Sequence, residues 1–178
     1  PIYSPAALRS FADQICGTEC DIVREPFTGA GDIPNGIVSR YPILDSGEWD
    51  DPQVANRDFV WARIDVPGPR DLYAVSVHFL TTSANNRNLE APALMSYLTV
   101  NVVESDFVLV GGDLNTDVRD EAAISTLSAY FRTGSPWPVD QRANSNTNAS
   151  RTKPYDWLLG DDELDPLGVP VVIGAPVF

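Results

Sequence analysis

Apolar residues recur at helical spacing in the first stretch of the chain. Leu8, Phe11, Ala12 and Ile15 fall on one face, Ser4 stands where an N-cap belongs, Pro5 suits the first turn and Gly17 stops the run. Alternating and continuous apolar runs then predict strands at Asp21–Glu25 and Gly36–Arg40, joined by a loop through Gly29, Gly31 and Pro34. Two longer strands follow, Arg57–Asp65 and Leu72–Leu80, separated by a hairpin-type turn over Pro67–Asp71. A helix is predicted over Asn88–Val103, with Leu89, Ala93, Leu94, Tyr97, Leu98 and Val102 as its stripe. The run from Val108 ends in Gly111 and Gly112, and a further helix over Glu121–Phe131 turns Ile124, Leu127 and Phe131 inward. Thr133–Lys153 reads as a long polar loop, a length that in compact domains is usually functional or mobile. Tyr155–Leu159 and Val169–Ile173 are the last strand candidates, and no repeat, heptad or linker interrupts the chain. Helix, several antiparallel strands, helix, strand, helix, strand: this order predicts an α+β sandwich, two mainly antiparallel sheets face to face with helices outside.

Composition narrows this picture without redrawing it. A chain of 178 residues, 43% hydrophobic and 21% charged, has the material for one domain with a real core. The net charge of −13 repels polyanions at long range, which argues against non-specific coating of DNA and leaves room for an enzyme with a local cationic site. No apolar run approaches the roughly 20 residues needed to span a bilayer, and no obligate protein partner is evident. The opening residues have neither the basic region nor the apolar core of a signal peptide, nor a translation start, so a segment is expected to have been removed ahead of Pro1. Cys16 and Cys20 have two readings: a small local disulfide, which would favour a secreted or periplasmic protein, or two independent apolar thiols, which would leave a cytoplasmic one open.

The chemistry concentrates at strand ends. After Gly112 come Asp113 and Asn115, two apart and therefore on one side of an extended chain, an acid and an amide suited to a divalent cation and a phosphate oxygen. The bland alternative is a turn in which both bond only the local backbone. His78, the single histidine, closes another apolar run; Arg57 opens a strand and has acids nearby in Asp58 and Glu48. Asp156 enters an otherwise apolar strand, where a carboxylate needs a cationic or donor partner.

Taken in order, these residues match a known pattern. Asn35–Ile43 is similar to a "G-I/L-S-R-x-P-I" strand, Arg57–Val60 to the strand after it, Ser76–Phe79 to an "x-x-H-L" motif, Gly112–Asn115 to "G-D-F/L-N", and Arg151–Leu159 to "x-R-x-D-Y/W-I/L". The chain thereby resembles the endonuclease/exonuclease/phosphatase superfamily, the deoxyribonuclease I-like group, as a bacterial member, over nearly its whole length.

The resemblance implies a four-layer α/β/β/α sandwich and metal-dependent hydrolysis of a phosphate ester, with Mg²⁺ or Mn²⁺ as cofactor and Ca²⁺ as an alternative. His78 would hydrogen-bond the phosphate or share in proton transfer. Asp113 would orient the attacking water or touch the metal, Asn115 would hold a phosphoryl oxygen or join Asp113 at the ion, Asp156 would support the histidine or stabilise charge, and Arg57 would add a bidentate cationic contact. The implied substrate is a phosphodiester, nucleic acid first, with small-molecule or lipid phosphates as the alternative and a non-catalytic binding remnant as the third reading. Arg87, Arg132, Arg142, Arg151 and Lys153 are the scattered candidates for gripping a backbone, and Trp137 for stacking. Relatives of this pattern also carry an Asn and a "Q-E" glutamate upstream of the first helix and an Asp-His pair on a last strand. These 178 residues contain neither, and Glu19 and Glu25 lie on the wrong side of the helix to be that glutamate. The expectation is therefore a domain lacking its family's terminal strands, inactive or unstable by itself.

Overall fold

The computed structural model describes residues 4–26, 29, 31–103 and 105–164. Helix α1 (Pro5–Cys16) forms where its apolar spacing predicts, with the Ser4 hydroxyl accepting the Ala7 N–H at 3.1 Å. Of the two readings of the cysteines, the disulfide is the one found: Cys16 and Cys20 are bonded, their Cα atoms 5.9 Å apart, closing the chain as it turns from α1 into β1 (Asp21–Arg24). β1 pairs antiparallel with β2 (Gly36–Ser39) in a two-stranded sheet.

The second sheet has five strands in the order β3 (Ile43–Trp49), β4 (Phe59–Ile64), β5 (Leu72–His78), β6 (Phe107–Asp113) and β7 (Asp156–Gly160). Neighbours are antiparallel, as expected for the strands before the first long helix, except β5 and β6, which run parallel across a crossover. That crossover is α2 (Ala84–Asn101), capped by Ser83 and starting four residues earlier than the apolar stripe suggested. β3 was not expected at all. Its Ile-Leu-Asp-Ser-Gly-Glu-Trp sequence buries only Trp49, as an edge strand with both faces largely in water does, and Gly47 lies under the Trp61 ring, which would have to give way slightly to a Cβ there.

The helices α2 and α3 (Ala122–Leu127) cover one face of the large sheet. Leu94 and Leu98 from α2 and Ile124 and Leu127 from α3 pack on Phe59, Val75, Val77, Phe79, Val108, Val110, Trp157 and Leu159. On the opposite face Val60, Ala62 and Ile64 are buried toward β1 and β2, on which α1 lies in turn. The result is the α+β sandwich in four layers. α3 is shorter than the Glu121–Phe131 run; after Leu127 the chain continues in single turns to Phe131, which bridges to Asp161. The predicted strand at Val169–Ile173 lies outside the described residues.

Thr133–Lys153 has no helix or strand, only turns and a single bridge residue at Val139, yet its polar side chains stand in for a regular element. Asp140 accepts the N–H groups of Arg142 and Asn144 and pairs with Arg151 at 2.7 Å. Asn148 accepts the N–H groups of Thr152 and Lys153. Among the described residues no helix is long and apolar enough to cross a membrane.

Candidate active site

Three of the expected residues meet because of strand register. On the parallel pair His78 stands opposite Asp113, and on the next pair Asp113 stands opposite Asp156. Val77 and Phe79 point into the helix-side core, so His78 between them points to the other face, with Asp113 and Asp156 beside it. The His78 Nε2 is 3.9 Å from the Asp113 carboxylate. The carboxyl ends of adjacent parallel strands are where open sheets expose a binding crevice.

Asn115 reaches this point through a backbone that few residues tolerate. Gly112 has φ +148°, and a Cβ there would overlap the Val77 carbonyl of the parallel neighbour, so only glycine lets the two strands lie together just before the site. Asn115 has φ +51°, a left-handed conformation that asparagine adopts more readily than most residues. Its N–H donates to Asp113 at 2.8 Å, and its side-chain Nδ2 donates to the Phe79 carbonyl at 2.9 Å. Leu114 is tied to Tyr155, and the Thr116 hydroxyl is shared by the Pro154 carbonyl and the Trp157 indole. Asp113 thus accepts from the local backbone, the Asn115 side chain donates across to the end of β5, and this bonding fixes both residues beside His78.

Arg57 sits beneath the site and is 8% exposed. Its Nε donates to the His78 carbonyl, its Nη2 to the Phe79 carbonyl at 3.2 Å and its Nη1 to the Asn56 side chain at 3.1 Å. The fork expected to meet a phosphate is turned instead onto the end of β5, where it contributes positive charge and holds backbone. Burial, and then the Arg57 charge, push the His78 pKa down to about 4, so the imidazole is neutral at pH 7 and offers one donor and one acceptor. Asp113 moves the other way. Burial first, and then the charge of Asp156, raise its pKa above the ordinary carboxylate value.

Sequence reasoning missed the acids that surround Arg57. Glu25, set aside as misplaced, is buried, and its carboxylate accepts the N–H groups of Asn35 (2.6 Å) and Asp58, joining the small sheet to the start of β4. Burial lifts its pKa to about 7. Glu90 on α2 is fully buried, accepts the Leu80 N–H through both oxygens and feels the charge of the buried Asp51. Desolvation first, with the Asp51 charge adding, raises Glu90 to about 8. Glu90 stands in the α2 pattern where a polar residue interrupts buried Arg87, Ala91 and Leu94; a charged residue on an apolar face was the available signal.

The candidate backbone-gripping cations are mostly committed elsewhere. Arg87 is completely buried in ion pairs with Glu121 and Asp117, Lys153 pairs with Asp117, Arg151 with Asp140 and Arg132 with Asp162. Trp137 is partly exposed and stacks on the Arg119 guanidinium, 4.5 Å from its ring centre.

A cation is the group whose fit remains to be judged. Asp113 and Asp156 bring two partly exposed carboxylates to one edge, and Asn115 adds an amide; hard oxygen donors of this kind suit Mg²⁺, which binds through one or two carboxylates and keeps waters. The Asp113 pKa is raised first by burial and then by the Asp156 charge, both of which a bound cation would offset. Among the described residues no group of three His, Cys, Asp or Glu side chains closes around one point. The residues present thus fit an open, partly hydrated ion and not a closed protein cage.

No protein-family model matches the chain, nor does any curated protein sequence. Solved structures do. The chain is similar to sphingomyelinase C from Streptomyces griseocarneus at 17% identity and a TM-score of 0.65, covering 94% of this chain and 71% of that one. It is similar to D. rerio TDP2 complexed with a single-strand DNA product at 16% identity and a TM-score of 0.63, covering 91% and 70%. A beta toxin variant from Staphylococcus aureus with bound magnesium ions matches at 16% identity and a TM-score of 0.52, over 74% and 53%. At these identities the likeness is one of fold, the deoxyribonuclease I-like sandwich that the sequence motifs imply.

Proposed function

We propose that the chain carries the phosphate-binding half of a metal-dependent phosphoester hydrolase that cleaves a phosphodiester. The observation that supports it most is the register that brings His78, Asp113 and Asp156 side by side at the carboxyl ends of β5 and β6. The fold adds weight, because solved proteins of this fold include a sphingomyelinase, a protein holding a DNA product and a toxin holding magnesium.

Asp113, Asp156 and the Asn115 amide would hold the ion, with water completing its shell. When bound, it supplies positive charge to a phosphoryl oxygen and to the departing oxygen. His78, neutral at pH 7, donates one N–H toward a phosphoryl oxygen or accepts a proton from the attacking water at its other nitrogen. Asp113 orients that water for in-line attack. Asn115 spends one amide hydrogen on Phe79 and keeps the second for a phosphoryl oxygen. Arg57 contributes charge from below through the His78 and Phe79 carbonyls.

Two substrate classes divide the relatives. A nucleic acid strand is the first. A small or lipid phosphodiester is the second, and the pairing of Arg87, Arg132, Arg151 and Lys153 with acids favours it, since a protein of net charge −13 with four of its five candidate cations paired has little to hold a polyanion. The disulfide fits an exported protein. The test is hydrolysis by the protein carrying this chain of linear single-stranded DNA, plasmid and a micellar lipid phosphodiester, each with Mg²⁺, Mn²⁺ or chelator. Chelator-sensitive turnover of any of them supports the reading, and the substrate turned over fastest selects the class. No turnover of any would refute it.

A further inference from the structure

We infer that Arg87 is a positioning residue that couples α2 to both loops of the site, so that His78 and Asn115 are held at a fixed separation by one buried guanidinium. The inference rests on the reading that these two residues belong to one site.

The five N–H donors of Arg87 are all engaged, and they divide between the loops. Nη1 donates to the carbonyls of Leu80 (3.0 Å) and Thr81 (3.1 Å), the residues that follow His78 and Phe79. Nε and Nη2 form a two-pronged pair with Glu121 at 2.9 and 2.8 Å, and Nη2 also reaches Asp117 at 3.0 Å, two residues beyond Asn115. Glu121 in turn accepts the Asp117 N–H, which closes the second loop on itself. A planar fork with rigid donor directions fixes distances that a flexible ammonium would not.

The rest of the histidine segment is held in the same way. The His78 carbonyl accepts from Arg57, the Phe79 carbonyl from Arg57 and Asn115, the Leu80 and Thr81 carbonyls from Arg87, and the Leu80 N–H goes to Glu90. Four consecutive carbonyls leaving β5 therefore meet buried side chains rather than a neighbouring strand. Such a cage costs several ionic groups their hydration, and it fixes the imidazole against Asp113. Arg87 alone among these groups touches both loops without touching any residue placed at the substrate.

The His78 imidazole gives one Cε1–H and one Cδ2–H signal in NMR, readable without any turnover. Arg87→Lys is compared with the parent and with Arg70→Lys, a surface change in the Glu163 pair. The expected result is a cooperatively melting Arg87→Lys protein whose imidazole signal shifts and broadens or doubles, while Arg70→Lys leaves it in place. Should Arg87→Lys fail to fold, Asp117→Asn removes one arm at an exposed residue and is expected to move the signal in the same direction by less. An imidazole signal superimposable on the parent's in whichever of these variants folds would overturn the proposal. Where hydrolysis is measurable, Arg87→Lys is expected to lower kcat by roughly 10-fold or more with KM little changed. Absence of hydrolysis in the parent refutes the proposed function and leaves the NMR result standing.

Discussion

The two ends of the parallel β5–β6 pair are built from similar residues and behave differently. At the amino end, Arg63 pairs with Asp71 at 2.6 Å and lies 3.9 Å from Asp106, with its side chain 41% exposed. At the carboxyl end, Arg57 and Arg87 are buried, their partners include four consecutive backbone carbonyls, and the backbone contains a glycine at φ +148° and an asparagine at φ +51°. The first end is a solvated ion pair that closes a turn. The second places charges under a cleft, stores unusual backbone geometry and leaves Asp113 with a raised pKa. Unusual backbone geometry and buried charge gathered at one end of one strand pair support the site proposed there.

Substitutions at the two ends should separate accordingly. The largest effects belong to the residues facing the cleft: His78→Ala and Asp113→Ala should each lower the hydrolysis rate by about 10²–10⁴-fold while the protein still melts cooperatively. Activity that survives both changes would move the site elsewhere. Gly112→Ala comes next. Its Cβ has no room against Val77 and its φ is hostile to any side chain, so unfolding stability should fall by about 3 kcal/mol or more, measured by urea denaturation.

The buried acids give a pH signature peculiar to the carboxyl end. Glu25 and Glu90 have folded pKa values of about 7 and 8, above their ordinary value of 4.5. The folded state thus holds protons the unfolded chain has released, and this contribution is complete below about pH 4.5 and lost as the pH rises through 7 and 8. His78 has the opposite sign: its folded pKa of about 4 lies below 6.5, so its contribution is complete above pH 6.5 and lost as the pH falls through 4. Glu90→Gln, which mimics the protonated acid, should therefore melt higher than the parent at pH 9, by roughly 1–3 kcal/mol of stability, and no higher at pH 4. An equal difference at both pH values would mean that folded Glu90 does not hold a proton the unfolded chain has released. The smallest effect is expected at the amino end, where Arg63→Ala should leave the melting temperature within about 2 °C of the parent.

Much of this contrast was legible in the sequence, and its limits have physical causes. β5, β6 and β7 were readable because buried strands carry continuous or alternating apolar runs, and the break at Gly111 and Gly112 located the site turn. β3 was not, because an edge strand need not be apolar and Asp45, Ser46 and Gly47 imitate a turn. His78, Asp113 and Asp156 were readable as polar residues ending apolar runs, but their alignment depends on register, which a sequence does not display. Arg57 and Arg87 were readable as cations near the right segments and misjudged in direction. Whether a guanidinium faces solvent or a ring of buried carbonyls follows from the packing of α2, and Glu90, Asp51 and Glu121 acquire meaning only once that helix is in place.

The most direct test of the central claim is the initial rate of phosphodiester hydrolysis, on a chromogenic substrate, as Mg²⁺ or Mn²⁺ is titrated into metal-stripped protein, parent against Asp113→Ala. A metal-dependent site at the carboxyl end of β5–β6 predicts a rate that rises from background, saturates with metal, returns to background with chelator and is lost in the variant. A rate in the parent indifferent to metal, or a saturation curve unchanged by Asp113→Ala, would contradict it.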